Sequence, residues 1–453
     1  MHTPISLRNW LLSASIFALT ATSGFALGTE TSAKDTAAAD SASPPSAAAS
    51  QPPAEADDPG KEAAVFKPHL LWTNARSALL FPIQWMAASN QGTLLAGSLF
   101  SKTFYLYNIY NGTCKARQTL PAPTAQPPLI NGQTAIFYDT STSLSVFDSE
   151  TGELNWERLP LRLPQRRNNL RQPLPRPRGS KVKPLMFNDR IATINTDGLV
   201  MFYPNRAPSE GSMPDFLMLQ TSPDEKGSFT NSPIISRQVL YVCTAAGHLH
   251  FANLNNIGEI GMIKNLVANP ETTIAKEVRV PILAASPYIY LATMDGTIYC
   301  YREFRKFTGQ RFTPPTLVWQ KKLSSQCEYQ SNRWGRPVIM PQTDSTNTVL
   351  YVNAKDCAQA LDAYTGETLW EHRVPQGIAS PPILWSDYVI IISEPKGSIP
   401  AKIVALSPTD GHTVAFCELP GVPSCEPLLW DNYLVLGYRN GYAECYSLTD
   451  DID

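Results

Sequence analysis

Charge is scarce in this chain: only 17% of its 453 residues are charged and the formal net charge is -2. With no basic surplus to hold phosphates, it does not read as a nucleic-acid binder. Histidine is scarce too, with six scattered residues, and among the eight cysteines there is neither an adjacent pair nor a Cys-Xaa-Xaa-Cys spacing. Metal ligation therefore finds no support in the pattern. No Gly-Xaa-Ser-Xaa-Gly, phosphate-loop or zinc-protease motif occurs, which removes the commonest hydrolase and nucleotide chemistries. No cysteine precedes Cys114, so a lipid-accepting cysteine near the N-terminus is lacking. The apolar stretch 11–21 is short for a membrane span.

Apolar residues, at 43%, and aromatics, at 10%, are ample for a core, and the 39 prolines suit many short strands joined by turns. Residues 1–26 read as a secretory signal, with Arg8 before the apolar stretch and Gly24-Phe25-Ala26 at the cleavage position. Residues 27–64 are acidic and rich in Ala, Ser and Pro, with almost nothing to bury, and are expected to form a disordered tether. The folded part, 65–453, is then nearly neutral. The expectation is an exported protein of the periplasm or cell envelope, with no lipid anchor and no transmembrane span once mature. Under oxidising conditions Cys417 and Cys425 are the pair near enough in sequence to suggest a loop-closing bridge. Cys243, Cys300 and Cys445 sit in strand-like runs and read equally well as buried thiols.

Two segments repeat one order of residues: Asp148-Ser-Glu-Thr-Gly-Glu-Leu-Asn-Trp156 and Asp362-Ala-Tyr-Thr-Gly-Glu-Thr-Leu-Trp370. Asp and Thr-Gly build a tight turn, with glycine taking backbone angles other residues resist, and the strand that follows carries an indole outward. A proline followed by an aliphatic strand recurs at Pro82, Pro128, Pro184, Pro233, Pro281, Pro337, Pro382 and Pro427, at intervals of 45 to 56 residues. Proline is tolerated at the first residue of a strand, so each one marks entry into a new sheet. Asp-Gly and Asn-Gly turns at 197–198, 295–296 and 440–441 divide later strands. Four antiparallel strands per period, repeated eight times, make an all-β, eight-bladed propeller. The last unit lacks a fourth strand, and the segment 69–74 reads as the strand that closes the ring.

Ala360-Leu-Asp362-Ala-Tyr-Thr365-Gly366-Glu-Thr-Leu-Trp370 resembles the repeat of the pyrroloquinoline-quinone-type propeller family, and 146–156 matches it with Val146 in place of Ala. Copies ending at Phe416 and near Ala116 keep Gly411 and Gly112. The resemblance implies that Trp72, Trp156, Trp319 and Trp370 dock between neighbouring blades as structural residues. Quinoprotein dehydrogenases of that family carry adjacent cysteines over the quinone and a carboxylate-plus-Asn calcium site, and neither is present here. The resemblance is to the non-enzymatic, BamB-like members. It implies no catalysis, no cofactor, no metal, and an unidentified protein partner in the envelope for a monomeric propeller. The alternative is a quinone-dependent dehydrogenase or a ligand-binding sensor using the central funnel.

His248 and His250 alternate along one strand and share a face, but two imidazoles without a third ligand are a weak metal signal. Asp148 and Asp362 fit turn caps better than acid–base groups. The distinctive element is the insertion 162–183. It carries eight basic residues, among them Arg166, Arg167, Arg171, Arg176, Arg178, Lys181 and Lys183, no acid, and frequent proline. It joins the fourth strand of one blade to the first of the next, where propellers usually present a binding face. An acidic partner, an anionic lipid or a cell-wall polymer would suit it, and so would plain solvation. The equivalent connection with Arg333, Trp334 and Arg336 is a second candidate, because Arg and Trp are common interface anchors.

Overall fold

Strands of this chain carry apolar residues on both faces, and that decides how they pack. Along Tyr388–Ser393 the two-residue period sends Val389 and Ile391 one way and Ile390 and Ile392 the other, and all four are buried. Such a sheet needs a neighbour on each side. In the computed structural model, Val389 and Ile391 pack with Val349 and Tyr351 of the preceding sheet. Ile390 and Ile392 pack with Leu434 and Leu436 of the following one. Eight apolar clusters of this kind each bridge two consecutive sheets, and the cluster of Trp72, Met86, Leu94, Tyr107, Val435 and Cys445 joins the last sheet to the first. The result is an eight-bladed β-propeller whose core is divided among eight interfaces.

The structure describes residues 68–74, 79–158, 182–194, 199–208, 217–220, 233–244, 247–254, 263–265, 267–273, 278, 281–293, 295–303, 305–306, 312–313, 315–323, 338–341 and 348–448. All belong to one unit, 62–453, and the expected signal 1–26 and tether 27–64 lie outside them. Blades 1 to 7 span 85–119, 129–158, 185–220, 234–273, 283–322, 338–373 and 383–419, and blade 8 combines 428–447 with 69–73. No α-helix occurs among the described residues, and none there is long and apolar enough to cross a membrane. The proline landmarks hold: the innermost strands begin directly after Pro128, Pro184, Pro233, Pro337, Pro382 and Pro427, and within three residues of Pro82 and Pro281. The closing strand also holds. His69–Thr73 pairs antiparallel with Ala443–Ser447, from His69 opposite Ser447 to Thr73 opposite Glu444.

Two additions depart from the four-strand plan. Blade 3 gains a fifth strand, Ile263–Asn265, which pairs parallel with Leu217–Gln220 although it comes from the chain of blade 4. A hairpin of Arg305–Lys306 and Phe312–Thr313 sits between the third and fourth strands of blade 5.

The turn chemistry is as expected. Asp148 Oδ1 accepts the main-chain N–H groups of Glu150 and Thr151, each at 2.8 Å, and Asp362 Oδ1 accepts those of Tyr364 and Thr365 at 2.8 and 2.7 Å. Those bonds, first that from Thr151, hold the Asp148 carboxyl below its usual range. The tryptophans lock neighbours rather than their own blades. Trp72, Trp319 and Trp370 donate from Nε1 to the carbonyls of Ile109, Ala363 and Pro408 at 2.8, 3.1 and 2.8 Å. Each acceptor lies in the third-to-fourth turn of the next blade, and the indole rests on that turn's glycine. A Cβ on Gly112, Gly366 or Gly411 would stand 2.5, 2.7 or 2.4 Å from the ring. Glycine is therefore required there twice over, by the close approach and by its positive φ. Trp156, half-buried, packs on the cluster containing Ile191 and Met201 of blade 3. In blade 7 the same place, opposite Ala405, is taken by Ala415, and Phe416, one residue on and opposite Val404, stays exposed with the Lys402 ammonium 4.2 Å from its ring centroid. No turn is there to receive a tryptophan from that place, because the third and fourth strands of blade 8 are not consecutive in the chain.

Candidate partner-binding face

Strand registers define two rims of the ring. In blade 2, Tyr138 at the end of the second strand pairs with Leu144 at the start of the third, and Leu144 pairs with Arg158 at the end of the fourth. Leu129, which starts the first strand, faces Ile136 near that same end. Second-to-third turns and blade-to-blade connections thus open on one rim, the crossover rim. The other two turns of each blade open on the opposite rim.

Both insertions singled out by sequence leave from and return to the crossover rim, between Arg158 and Leu185 and between Lys322 and Val338. Arg166, Arg167, Arg171, Arg176, Arg178 and Lys181 lie outside the described residues, as do Arg333, Trp334 and Arg336. Lys183 is described. It is half-buried between Val182 and Pro184, which are buried, and sits at the entry to the innermost strand of blade 3.

A feature that sequence reasoning missed lies on the same rim, at the seam where blade 8 meets blade 1. The connection 79–84 runs between two turns. Leu79 N–H donates to the Gly441 carbonyl at 3.0 Å and Ile83 N–H to the Tyr438 carbonyl at 3.1 Å. On the other side, Gln84 Oε1 accepts Leu99 N–H at 2.6 Å and the Ser98 hydroxyl at 3.2 Å. This frame turns Leu80, 85% exposed, and Phe100, 62% exposed, into water, with Phe81, Leu99 and Tyr442 exposed beside them. The signal was present in Ser98-Leu99-Phe100-Ser101, an apolar pair at a turn where polar residues are the rule.

The candidate chemistry elsewhere resolves into structure. His250 is fully buried, and burial, with His248 beside it as the smaller cause, lowers its pKa to about 4. It is a neutral core imidazole at ordinary pH. Glu303 is buried between blades 4 and 5, accepting hydrogen bonds from the Ser236 and Ser286 hydroxyls and facing Arg237 at 3.6 Å. In the exposed turn of blade 7, Asp410 and His412 meet at 2.6 Å, and that bond chiefly holds Asp410 down at about 2. Among the described residues no three His, Cys, Asp or Glu side chains gather to hold a metal. The suggested bridge between Cys417 and Cys425 is not formed; both are free thiols. Cys417 packs on the cluster between blades 7 and 8, and Cys425 lies in the cluster between blades 8 and 1, so blade 8 stands between them. Cys243, Cys300 and Cys445 are buried thiols, and burial pushes Cys300 and Cys445 up to about 12.

A family model described as outer membrane protein assembly factor BamB matches residues 64–303 and 218–416. Among solved structures, the computationally designed Ika8 protein superposes with a TM-score of 0.58 at 12% identity, covering 84% of this chain and 99% of that one. The quinohemoprotein alcohol dehydrogenase of Comamonas testosteroni gives 0.58 at 10% identity, covering 86% and 78%. BamB of Moraxella catarrhalis gives 0.39 at 13% identity, covering 81% and 83%, too loose a fit to argue from. At these identities the first two likenesses speak of the fold alone. No curated protein matches the sequence.

Proposed function

We propose, since the chain belongs to the family of the outer membrane protein assembly factor BamB, that it is an exported, non-catalytic scaffold that engages a protein partner in the cell envelope. The observation that carries this reading is the family match across most of the propeller. The crossover rim supplies the chemistry: the basic connection 162–183 departs from it, with eight cations and no acid in 22 positions. A cationic connection on a rigid ring suits an acidic partner surface, steering its approach and fixing its orientation. Arg333, Trp334 and Arg336, on the later connection, would add an anchoring contact. Assistance to outer-membrane protein assembly is the specific role the family suggests.

The quinone and calcium of the dehydrogenase branch do not fit the residues present. Calcium takes six to eight oxygen ligands with carboxylates among them. The innermost strands, which approach one another around the axis, offer Asn131 and Ser236 and no carboxylate. The sequence has no adjacent cysteines to cover a quinone.

The test is capture from envelope extract. Replacing Arg166, Arg167, Arg171, Arg176 and Arg178 with Ser should abolish partner capture and leave the melting temperature unchanged. Unaltered capture removes the connection from the interface. Dye-linked alcohol oxidation after reconstitution with quinone and calcium would overturn the non-catalytic reading.

A further inference from the structure

We propose that the seam between blades 8 and 1 is a docking surface for an anionic lipid bilayer. The proposal does not rest on the scaffold reading, because it follows from the described seam alone. Leu80 and Phe100 lead an apolar group at the tips of two connections, with Phe81, Leu99 and Tyr442 around them. The group projects from the rim, pinned underneath by the Leu79–Gly441, Ile83–Tyr438 and Leu99–Gln84 hydrogen bonds. A further pin is the Ser424 hydroxyl, which donates to the Ile83 carbonyl at 2.5 Å. The exposed residues are therefore held out by a fixed frame. Holding large apolar groups in water is costly, and contiguous apolar patches mark interaction sites.

Charge selects the occupant. The segments 79–84, 98–103 and 438–442 contain two basic residues, Lys102 and Arg439, both exposed, and no Asp or Glu. Glu444, the nearest acid along these strands, is turned inward, where the Tyr438 and Tyr446 hydroxyls each donate to its Oε2 at 2.8 Å. Glu426, two residues past the Ser424 pin, is the one exposed acid of the adjoining connection 420–427, against the two cations. Leucine and phenylalanine at projecting tips, an interfacial tyrosine and flanking cations are the make-up of a surface that enters the headgroup boundary of an anionic membrane. A protein partner would have to bring a pocket deep enough for Leu80, whereas the acyl region accepts it without one.

The experiment uses the full chain and vesicles of phosphatidylethanolamine with phosphatidylglycerol, against vesicles of phosphatidylcholine. The expected result is co-sedimentation with the anionic vesicles that weakens with salt. Leu80→Ser with Phe100→Ser should lower partitioning at least about tenfold, each large apolar side chain being worth about that much or more. Lys102→Gln with Arg439→Gln should lower it about fivefold per charge, on anionic vesicles only. These side chains are exposed, so the variants should melt as the parent does. Binding that survives both double substitutions would place attachment in the apolar stretch 11–21 or the basic connection and overturn the proposal. So would an absence of vesicle binding together with seam-dependent capture of an envelope protein.

Discussion

Replacing Trp72 with Ala should open the ring at one place. In the closing strand Leu70 and Leu71 are 53% and 40% exposed, while Trp72 is 9% exposed and is the strand's one buried side chain. Truncating a buried Trp to Ala costs about 3–5 kcal/mol, and that range includes the lost indole bond to Ile109, worth about 1 kcal/mol net. The fourth strands of the other blades are each tied by chain to a strand of their own blade, but this one is held to blade 8 by pairing and by Trp72. The whole cost should therefore appear as local opening. At about 1.4 kcal/mol per factor of ten, the open population should rise by roughly two to three and a half powers of ten. Amide exchange read by mass spectrometry gives the measurement: protection at 69–73 and 443–447 should fall by that factor, while 357–362 in blade 6 keeps its protection. Protease should also begin to cut near residue 74. A change below about threefold, or an equal loss in every blade, would refute the reasoning, the first because Trp72 anchors nothing and the second because closure is not separable from global folding.

Gly411→Ala should cost at least about 2–4 kcal/mol by thermal melting, since its Cβ would stand 2.4 Å from Trp370 at φ +72. Gly397→Ala, at φ +62 with nothing within 4 Å, should cost only about 1–2 kcal/mol, and equal losses would show that the tryptophan contact is unimportant. His250 binds its proton less readily folded than unfolded, so stability should be intact above about pH 6.5 and fall as pH drops toward 4. The loss is up to about 3 kcal/mol, and His250→Leu should flatten it in denaturant melts across that window. Thiol labelling of the folded protein should modify exposed Cys114 readily, with Cys243, Cys300, Cys357, Cys425 and Cys445 reacting only on unfolding. Loss of reagent titre at Cys417 and Cys425 together, restored by reductant, would instead reveal a bridge.

The ring was legible because its punctuation is local. Proline at strand entry, Asp-Gly and Thr-Gly at turns, and tryptophan beyond them each report a backbone constraint within a few residues. Ile263-Lys-Asn265 was not legible as a fifth strand, because its partner lies in another blade and its three residues carry no period of their own. The Cys417–Cys425 suggestion failed for a similar reason: nearness in sequence is no guide when a whole sheet stands between two side chains. Within one repeat copy, glycine and tryptophan serve different joints: Gly366 receives Trp319, while Trp370 rests on Gly411. The copy is thus half of two joints. Of the candidate binding residues, the described region reaches only Lys183, whereas the apolar seam emerged because burial distinguishes Leu80 and Phe100 from the many Leu and Phe that fill interfaces.

Opposed registers also set how the ring would respond to force. His69 faces Ser447, so the chain enters and leaves the closing pair at the same end, on the rim opposite the crossover connections. Tension between the two ends would peel that pair like a zipper, taking its hydrogen bonds one at a time instead of loading them together in shear. A pull applied from the N-terminal side is therefore the mildest mechanical route to an open ring. The point of failure would be the single indole seated on Gly112.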